Sequence, residues 1–361
     1  MLTGNRGEWS EVYALLKILS DKKLYAGNSK IQKLSNVVYP VVKVLRTEKM
    51  NDFSFSYGNT DVLVELSNNN RYLIPTSEFT ANASFLLAQI KKAKKNGTFP
   101  VPRIESFINS FESYSLKAKS SVKSDITIKI HDSRTGIEPT LGFSIKSELG
   151  GDPTIFNASQ ATNIEYRITG PKLNDQNINR INAISTRSKI MDRVKEIQRL
   201  GCKLEYHEVD NSTFRNNLTL IDSELPKILG EAIVYYYSGI TNSISDISTH
   251  LDNDNPINYD QSTGHNYYAY KLKRLLWEVA LGMIPKTMWT GKYDATGGYL
   301  IVRESGDIIC YHIYNKNEFE DYLFLNTRFE TSSSTRNKFG SIYKSNGELY
   351  FKLNTQIRFI K

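Results

Sequence analysis

Asp125 and Lys146 are the residues whose types and spacing suggest chemistry first. A carboxylate can hold a hard divalent cation such as Mg²⁺, and a lysine held beside it can orient or deprotonate a water. The pair therefore suits metal-assisted hydrolysis. It lies in residues 121–148, which read as two strands and a loop. Ile126, Ile128 and Ile130 alternate with Asp125, Thr127 and Lys129, the period of a half-buried strand. Phe143 and Ile145 then alternate with Ser144 and Lys146, and the connection DSRTGIEP carries the turn residues Gly136 and Pro139. If the strands pair, Asp125 and Lys146 leave one sheet face at neighbouring ends. Taken alone, this stretch reads better as a solvated hairpin with an ordinary surface Asp and Lys.

Asp125, a gap, and then Ser144-Ile145-Lys146 resembles the PD-(D/E)XK nuclease motif. Ser124 stands where that motif often carries proline, and Ser144 where it normally carries Glu or Asp. The segments GNRGEWSEVYALLKIL, HDSRTGIEPTLGFSIKSELG and FETSSSTRNKFGSIY resemble the HpaII family of type II restriction endonucleases, and the resemblance runs over essentially the whole chain. It implies an α/β (α+β) fold with a PD-(D/E)XK-type mixed central sheet flanked by helices. It also implies Mg²⁺ as cofactor, double-stranded DNA as substrate, a short CCGG-type palindrome and a 5′-phosphate product. A companion cytosine methyltransferase, with no direct contact expected, would protect the host. Under this resemblance Asp125 binds the metal with help from the Ile145 backbone carbonyl and from Glu11 or Glu8, and Lys146 activates the water.

The missing acid at Ser144 calls for a donor elsewhere, because Mg²⁺ takes several hard oxygens. Residues 7–20 form an amphipathic helix on the recurrence of Trp9, Val12, Leu16 and Leu19. Glu8 and Glu11 project from another face of it. Related nucleases often start such a helix Gly-x-x-x-Glu, and Gly7 to Glu11 has that spacing, which places Glu11 ahead of Glu8. Both acids also fit the ordinary role of carboxylates in a first helical turn. Glu148, two residues past Lys146, is a further candidate for the lost acid.

The chain has 361 residues with formal net charge +8, which fits a polyanionic partner without demanding one. Its two cysteines, Cys202 and Cys310, imply no disulfide framework or zinc spacing. No run approaches the roughly 18 apolar residues of a membrane span, and no signal-peptide pattern opens the sequence. A cytoplasmic protein is expected.

Strands are expected within 36–74, a helix from Ser77 or Thr80 to Lys95, and a second helix over 102–113. An amphipathic helix at 185–200 and the strand CKLEYHEV complete the βββαβ order of the nuclease core. The expected division is a catalytic region, 1–210, and a DNA-recognition and dimerisation region, 211–361. The second region is α+β, with helices at 223–238 and 266–283, a polar linker between them, and a small antiparallel sheet at the end. The loop after Lys146 offers Asn157, Ser159, Gln160 and Asn163 to phosphate or bases. The segment from Arg328 to Lys338, with Glu330 and Arg336, is the expected major-groove reader, since arginine's fork matches guanine O6 and N7. A palindromic target predicts a homodimer on DNA. Rival readings are a DNA-binding protein without catalysis and a structure-directed nuclease of the resolvase or repair type.

Overall fold

The computed structural model describes residues 1–118, 124–133 and 136–360. Residues 121–123 of the motif stretch, and Arg134 and Thr135 of its loop, lie outside the described residues. The chain is a mixture of helix and sheet forming two compact units. The first comprises Met1–Pro153 and Tyr293–Tyr322; the second comprises Thr154–Lys292 and Leu323–Ile360. The boundary expected at 210/211 falls inside the second unit.

A nine-stranded mixed sheet organises the first unit. Its order is Lys23–Gly27, Ile308–His312, Gly298–Val302, Thr140–Ser147, Ile126–Ile130, Lys33–Thr47, Asp52–Tyr57, Asp61–Leu66 and Arg71–Pro75. The long strand Lys33–Thr47 also pairs with Lys23–Gly27, so the sheet turns back on itself. The helices Arg6–Asp21, Thr76–Lys92 and Pro102–Asn109 belong to the same unit. All four residues of the predicted stripe on the first helix, Trp9, Val12, Leu16 and Leu19, are buried in its core, together with Ile126, Ile128 and Ile130 of the motif strand. Burial of that apolar stripe, more than intrinsic propensity, holds such a helix in place.

The expected βββαβ continuation needs correction. The strand beside Thr140–Ser147 is Gly298–Val302, running parallel, with Leu300 opposite Ile145. The helix Lys189–Arg199 and strand Lys203–Val209 belong instead to the second unit. There, Lys203–Val209, Asn163–Thr169, Glu348–Asn354 and Ile342–Ser345 form a four-stranded antiparallel sheet. Thr154–Phe156, Ile357–Phe359 and Thr327–Phe329 form a smaller one. The predicted turn at Ser345-Asn346-Gly347 joins two strands of the larger sheet, with positive φ at Asn346 (48°) and Gly347 (82°). Elements not anticipated include the strands Lys23–Gly27, Asp52–Tyr57 and Asn163–Thr169, and the helices Asp175–Asn182, Ser212–Ile221, Ile244–Asp254 and Lys316–Leu325.

Candidate active site

The motif hairpin pairs antiparallel with Ile126 opposite Phe143. One step further along this register Asp125 stands beside Ser144, its backbone N–H donating to the Phe143 carbonyl at 2.9 Å. Side chains two apart share a strand face, so Lys146 joins them. Asp125 Oδ2 accepts from the Ile145 backbone N–H at 2.6 Å and from Ser144 Oγ at 3.2 Å. These donors leave Oδ1 without a hydrogen bond among the described residues.

The first helix brings the third group. Asn5 caps it in a capping box with Glu8. Arg6 donates to the Leu149 carbonyl at 2.9 Å, and the buried Ser10 and Ser147 hydroxyls meet at 2.8 Å. The helix and the end of the Lys146 strand are therefore joined on the N-terminal side of Glu11. Glu11 is half-buried and makes no hydrogen bond or ion pair among the described residues. Burial raises its pKa to about 7, and the charge of Asp125 adds to the shift; Arg46 and Lys117 oppose it. Burial also pulls the Lys146 ammonium down, against the attraction of Asp125 and Glu11. The Lys146 Nζ lies over the Tyr299 ring, 5.2 Å from its centroid, and has no ion pair among the described residues.

The candidate acids thus separate. Glu8 accepts from the Asn5 backbone N–H at 2.7 Å and pairs with Lys117 Nζ at 2.6 Å. Burial opposes the charge of Glu8, yet these bonds hold its pKa below the usual value. Glu148 accepts from the Glu304 backbone N–H at 3.0 Å and lies 3.5 Å from Arg303. Among the named acids, Glu11 and Asp125 keep carboxylate oxygens without a partner among the described residues, and the charge of Asp125 acts on Glu11. A divalent cation there would relieve the repulsion that raises the Glu11 pKa, so this donor set fits the metal that the family implies.

Sequence reasoning passed over three contributors. Arg46 and Glu48 form a buried ion pair at 3.0 Å. Glu48 also accepts from Ser113 Oγ (2.7 Å) and the Tyr114 N–H (3.2 Å), tying that turn to the long strand. Lys117 follows the turn, and its charge is felt by Glu8, Glu11 and Asp125. Tyr299 arrives on the distant parallel strand. No local pattern marks any of these; a buried Arg-Glu pair two residues apart in a strand is visible only once burial is known.

The DNA-contact candidates all lie in the second unit. Arg328 is half-buried in its strand, 3.3 Å from Glu330, which also pairs with Arg358. Arg336 is exposed on the short helix Ser334–Asn337, and its guanidinium has no partner among the described residues. Lys338 is exposed in the left-handed conformation (φ 52°). Gln160 donates to the Arg336 carbonyl at 3.3 Å, and the buried Asn163 donates to the Asn337 carbonyl at 2.8 Å. These two residues hold the 336–337 segment and point nothing outward. Asn157 is exposed and has no side-chain partner among the described residues. One further cluster, Glu165, His207 and Glu208, brings ligand atoms within 4.8 Å of one another. Its carboxylates are already met by Lys352, Tyr343 and Arg215.

No solved structure matches the chain. A type II restriction enzyme named HpaII, from Haemophilus parainfluenzae, is 49% identical over 359 residues, spanning 99% of each chain. The sequence profile of the HpaII restriction endonuclease family matches residues 5–359, which takes in both units and every candidate group described above. On these two matches, the chain belongs to the HpaII restriction endonuclease family.

Proposed function

We propose that this protein is a Mg²⁺-dependent restriction endonuclease that hydrolyses double-stranded DNA at a short CCGG-type palindrome and leaves 5′-phosphates. The observation that carries the reading is the trio Asp125, Glu11 and Lys146. They come from the motif hairpin and the first helix, their charges act on one another, and none of the three makes an ion pair with any other group among the described residues. Protein interiors rarely leave charges in that state outside a functional centre.

In this reading Asp125 and Glu11 hold the cation, with the Ile145 backbone carbonyl as a further oxygen, in a PD-(D/E)XK-type centre. A bound divalent cation supplies Lewis-acid stabilisation of the charge that builds on the phosphate. The Ile145 N–H and Ser144 hydroxyl fix the Asp125 carboxylate in orientation. Lys146, whose burial favours the neutral amine, orients the attacking water and takes up its proton to become the ammonium. Ser144 contributes one hydrogen bond and no charge. Arg328, Glu330, Arg336 and Lys338 mark the DNA-contacting segment, with Gln160 and Asn163 hydrogen-bonded to its backbone and Asn157 on the loop that leads to them. Two protomers act on one palindrome, one centre per strand. The protein works in the cytoplasm, alongside a cytosine methyltransferase that protects host DNA without touching it.

The test is a digest of unmethylated plasmid with and without Mg²⁺, using wild type, Asp125→Asn, Lys146→Ala and Ser144→Ala. Discrete Mg²⁺-dependent fragments from wild type and Ser144→Ala are expected, and none from the other two. Near-normal cutting by Asp125→Asn or Lys146→Ala would sink the assignment.

A further inference from the structure

Arg193 is 8% exposed, and none of its hydrogen bonds goes to a carboxylate. Its Nη atoms donate to the carbonyls of Gly340, Asn182 (2.5 Å) and Ile184 (2.8 Å), and to Ser341 Oγ (3.1 Å). Its Nε is buried and has no acceptor. Carbonyl dipoles satisfy most of the fork but do not cancel its charge, and a buried charge without a counter-ion is costly.

Arg193 lines a cleft of about 350 Å³ within the second unit, with Lys189, Ser334, Thr335 and Lys338 among the walls. Lys189 and Lys338 have no ion pair among the described residues. Lys352 also borders the cleft, but it is engaged by Glu165 and Asp210. Lys189 opens the helix Lys189–Arg199, whose N-cap, Ser188, gives no side-chain hydrogen bond, so that positive end is not capped from within. The opposite wall is fixed by its backbone. Gly340 sits at φ +88°, where a Cβ would come within 2.1 Å of Ile190. The cleft therefore combines a rigid wall, two unpaired ammonium groups and an uncompensated buried guanidinium.

We propose that this cleft is a phosphodiester clamp that seats one backbone phosphate of duplex DNA, with Lys189 and Lys338 pairing to it over the charge of Arg193. The proposal rests on the nuclease reading for its choice of DNA as the source of the phosphate. The hydroxyls of Ser334 and Thr335 supply neutral donors at the rim. Such a contact fixes where the duplex lies and carries no sequence information. It is distinct in role from base reading by the neighbouring Arg336.

The test uses the full chain in EDTA, so that binding is read without cutting. Lys189→Ala, Lys338→Ala and the double variant are titrated across a salt series on a cleavable duplex and a scrambled one. Arg193 is left intact because it holds three carbonyls of the fold. Each single variant should weaken binding equally on both duplexes and flatten the log affinity against log salt slope by about one, and the double variant by about two. Unchanged slopes overturn the clamp, as does a loss confined to the cleavable duplex. Thermal melting with inorganic phosphate at fixed ionic strength forms the second arm. Stabilisation of wild type that the double variant loses, with salt slopes unchanged, assigns the cleft to free phosphate and overturns the DNA clamp. A wild type that binds duplex but never cuts removes the nuclease reading while the slopes still report on the clamp. A wild type that cuts normally with unchanged slopes removes the clamp alone.

Discussion

Ser10 and Ser147 share a buried hydrogen bond of 2.8 Å, and each is the immediate neighbour of a candidate catalytic group, Glu11 on the helix and Lys146 on the strand. The bond therefore acts as a spacer between carboxylate and ammonium. Ser147→Ala removes it and also the Ser147 acceptor of the Leu149 N–H at 3.1 Å. A loss of about 1–3 kcal/mol in stability is expected from the polar groups left unmatched. Single-turnover cleavage should fall by about tenfold or more, since small displacements of catalytic groups are costly, while DNA affinity stays near wild type. Unaltered single-turnover rates with a lowered melting temperature would show the bond to be structural only.

Glu8 and Glu11, one turn apart, should respond oppositely to the same change. Glu8→Gln loses the Lys117 ion pair and weakens a capping box, so a cost of about 1 kcal/mol in stability with little effect on cleavage is expected. Glu11→Gln has no hydrogen bond to lose among the described residues, and should leave stability unchanged or raised while cleavage drops severely. Urea denaturation and cleavage measured on both variants decide the matter; equal behaviour would contradict the assignment.

Stability of the metal-free protein should fall as pH rises from about 4.5 to about 7. The Glu11 carboxyl titrates at 4.5 when free and is pushed up to about 7 in the folded chain, so across that window the folded state binds more protons than the unfolded one. Stability contributed by this group then decreases with pH and levels above about 7. At about 1.4 kcal/mol per pKa unit the decrease is at most about 3 kcal/mol, less the screening that partial exposure brings. Glu11→Gln should remove this part of the slope in urea melts at pH 5, 6, 7 and 8. Because a cation competes with the proton for the same carboxylate, added Mg²⁺ should shift the acidic limb of cleavage to lower pH.

Arg336→Ala and Arg328→Ala should separate recognition from architecture. Arg336 has a free, exposed guanidinium, and its loss is expected to remove about 1–3 kcal/mol of preference for the cognate duplex without affecting the fold. Arg328 shares Glu330 with Arg358, so its removal should chiefly lower the melting temperature. Competition binding with one-base-changed duplexes, run beside thermal melts, distinguishes the two; full discrimination by Arg336→Ala would move base reading elsewhere.

Short-range regularities made much of this protein legible from its sequence. The alternation at Ile126, Ile128 and Ile130 located the motif strand, and the Trp9 stripe located the first helix within a residue at each end. The pairing that sets Asp125, Ser144 and Lys146 on one face follows from the same period. Non-local arrangement was not legible. Gly298–Val302 carries no local sign that it will lie beside Thr140–Ser147 rather than join the C-terminal strands, because parallel pairing leaves no turn sequence between partners. The βββαβ expectation went astray for that reason. Glu8 and Glu11 are the same residue type on one helix, and the capping box with Asn5 and the ion pair with Lys117, whose turn is held by the buried Arg46–Glu48 pair, separate them.

The placement of Gly298–Val302 against the Lys146 strand also bears on when the centre can exist during synthesis. Until residue 302 has left the ribosome, the strand carrying Lys146 lacks its parallel neighbour and Tyr299 is missing from beside the lysine. A nascent or prematurely terminated chain ending anywhere in the second unit's first segment, Thr154–Lys292, has both motif acids and the lysine but an unfinished sheet around them. The topology ties completion of the sheet around the candidate centre to synthesis past residue 302.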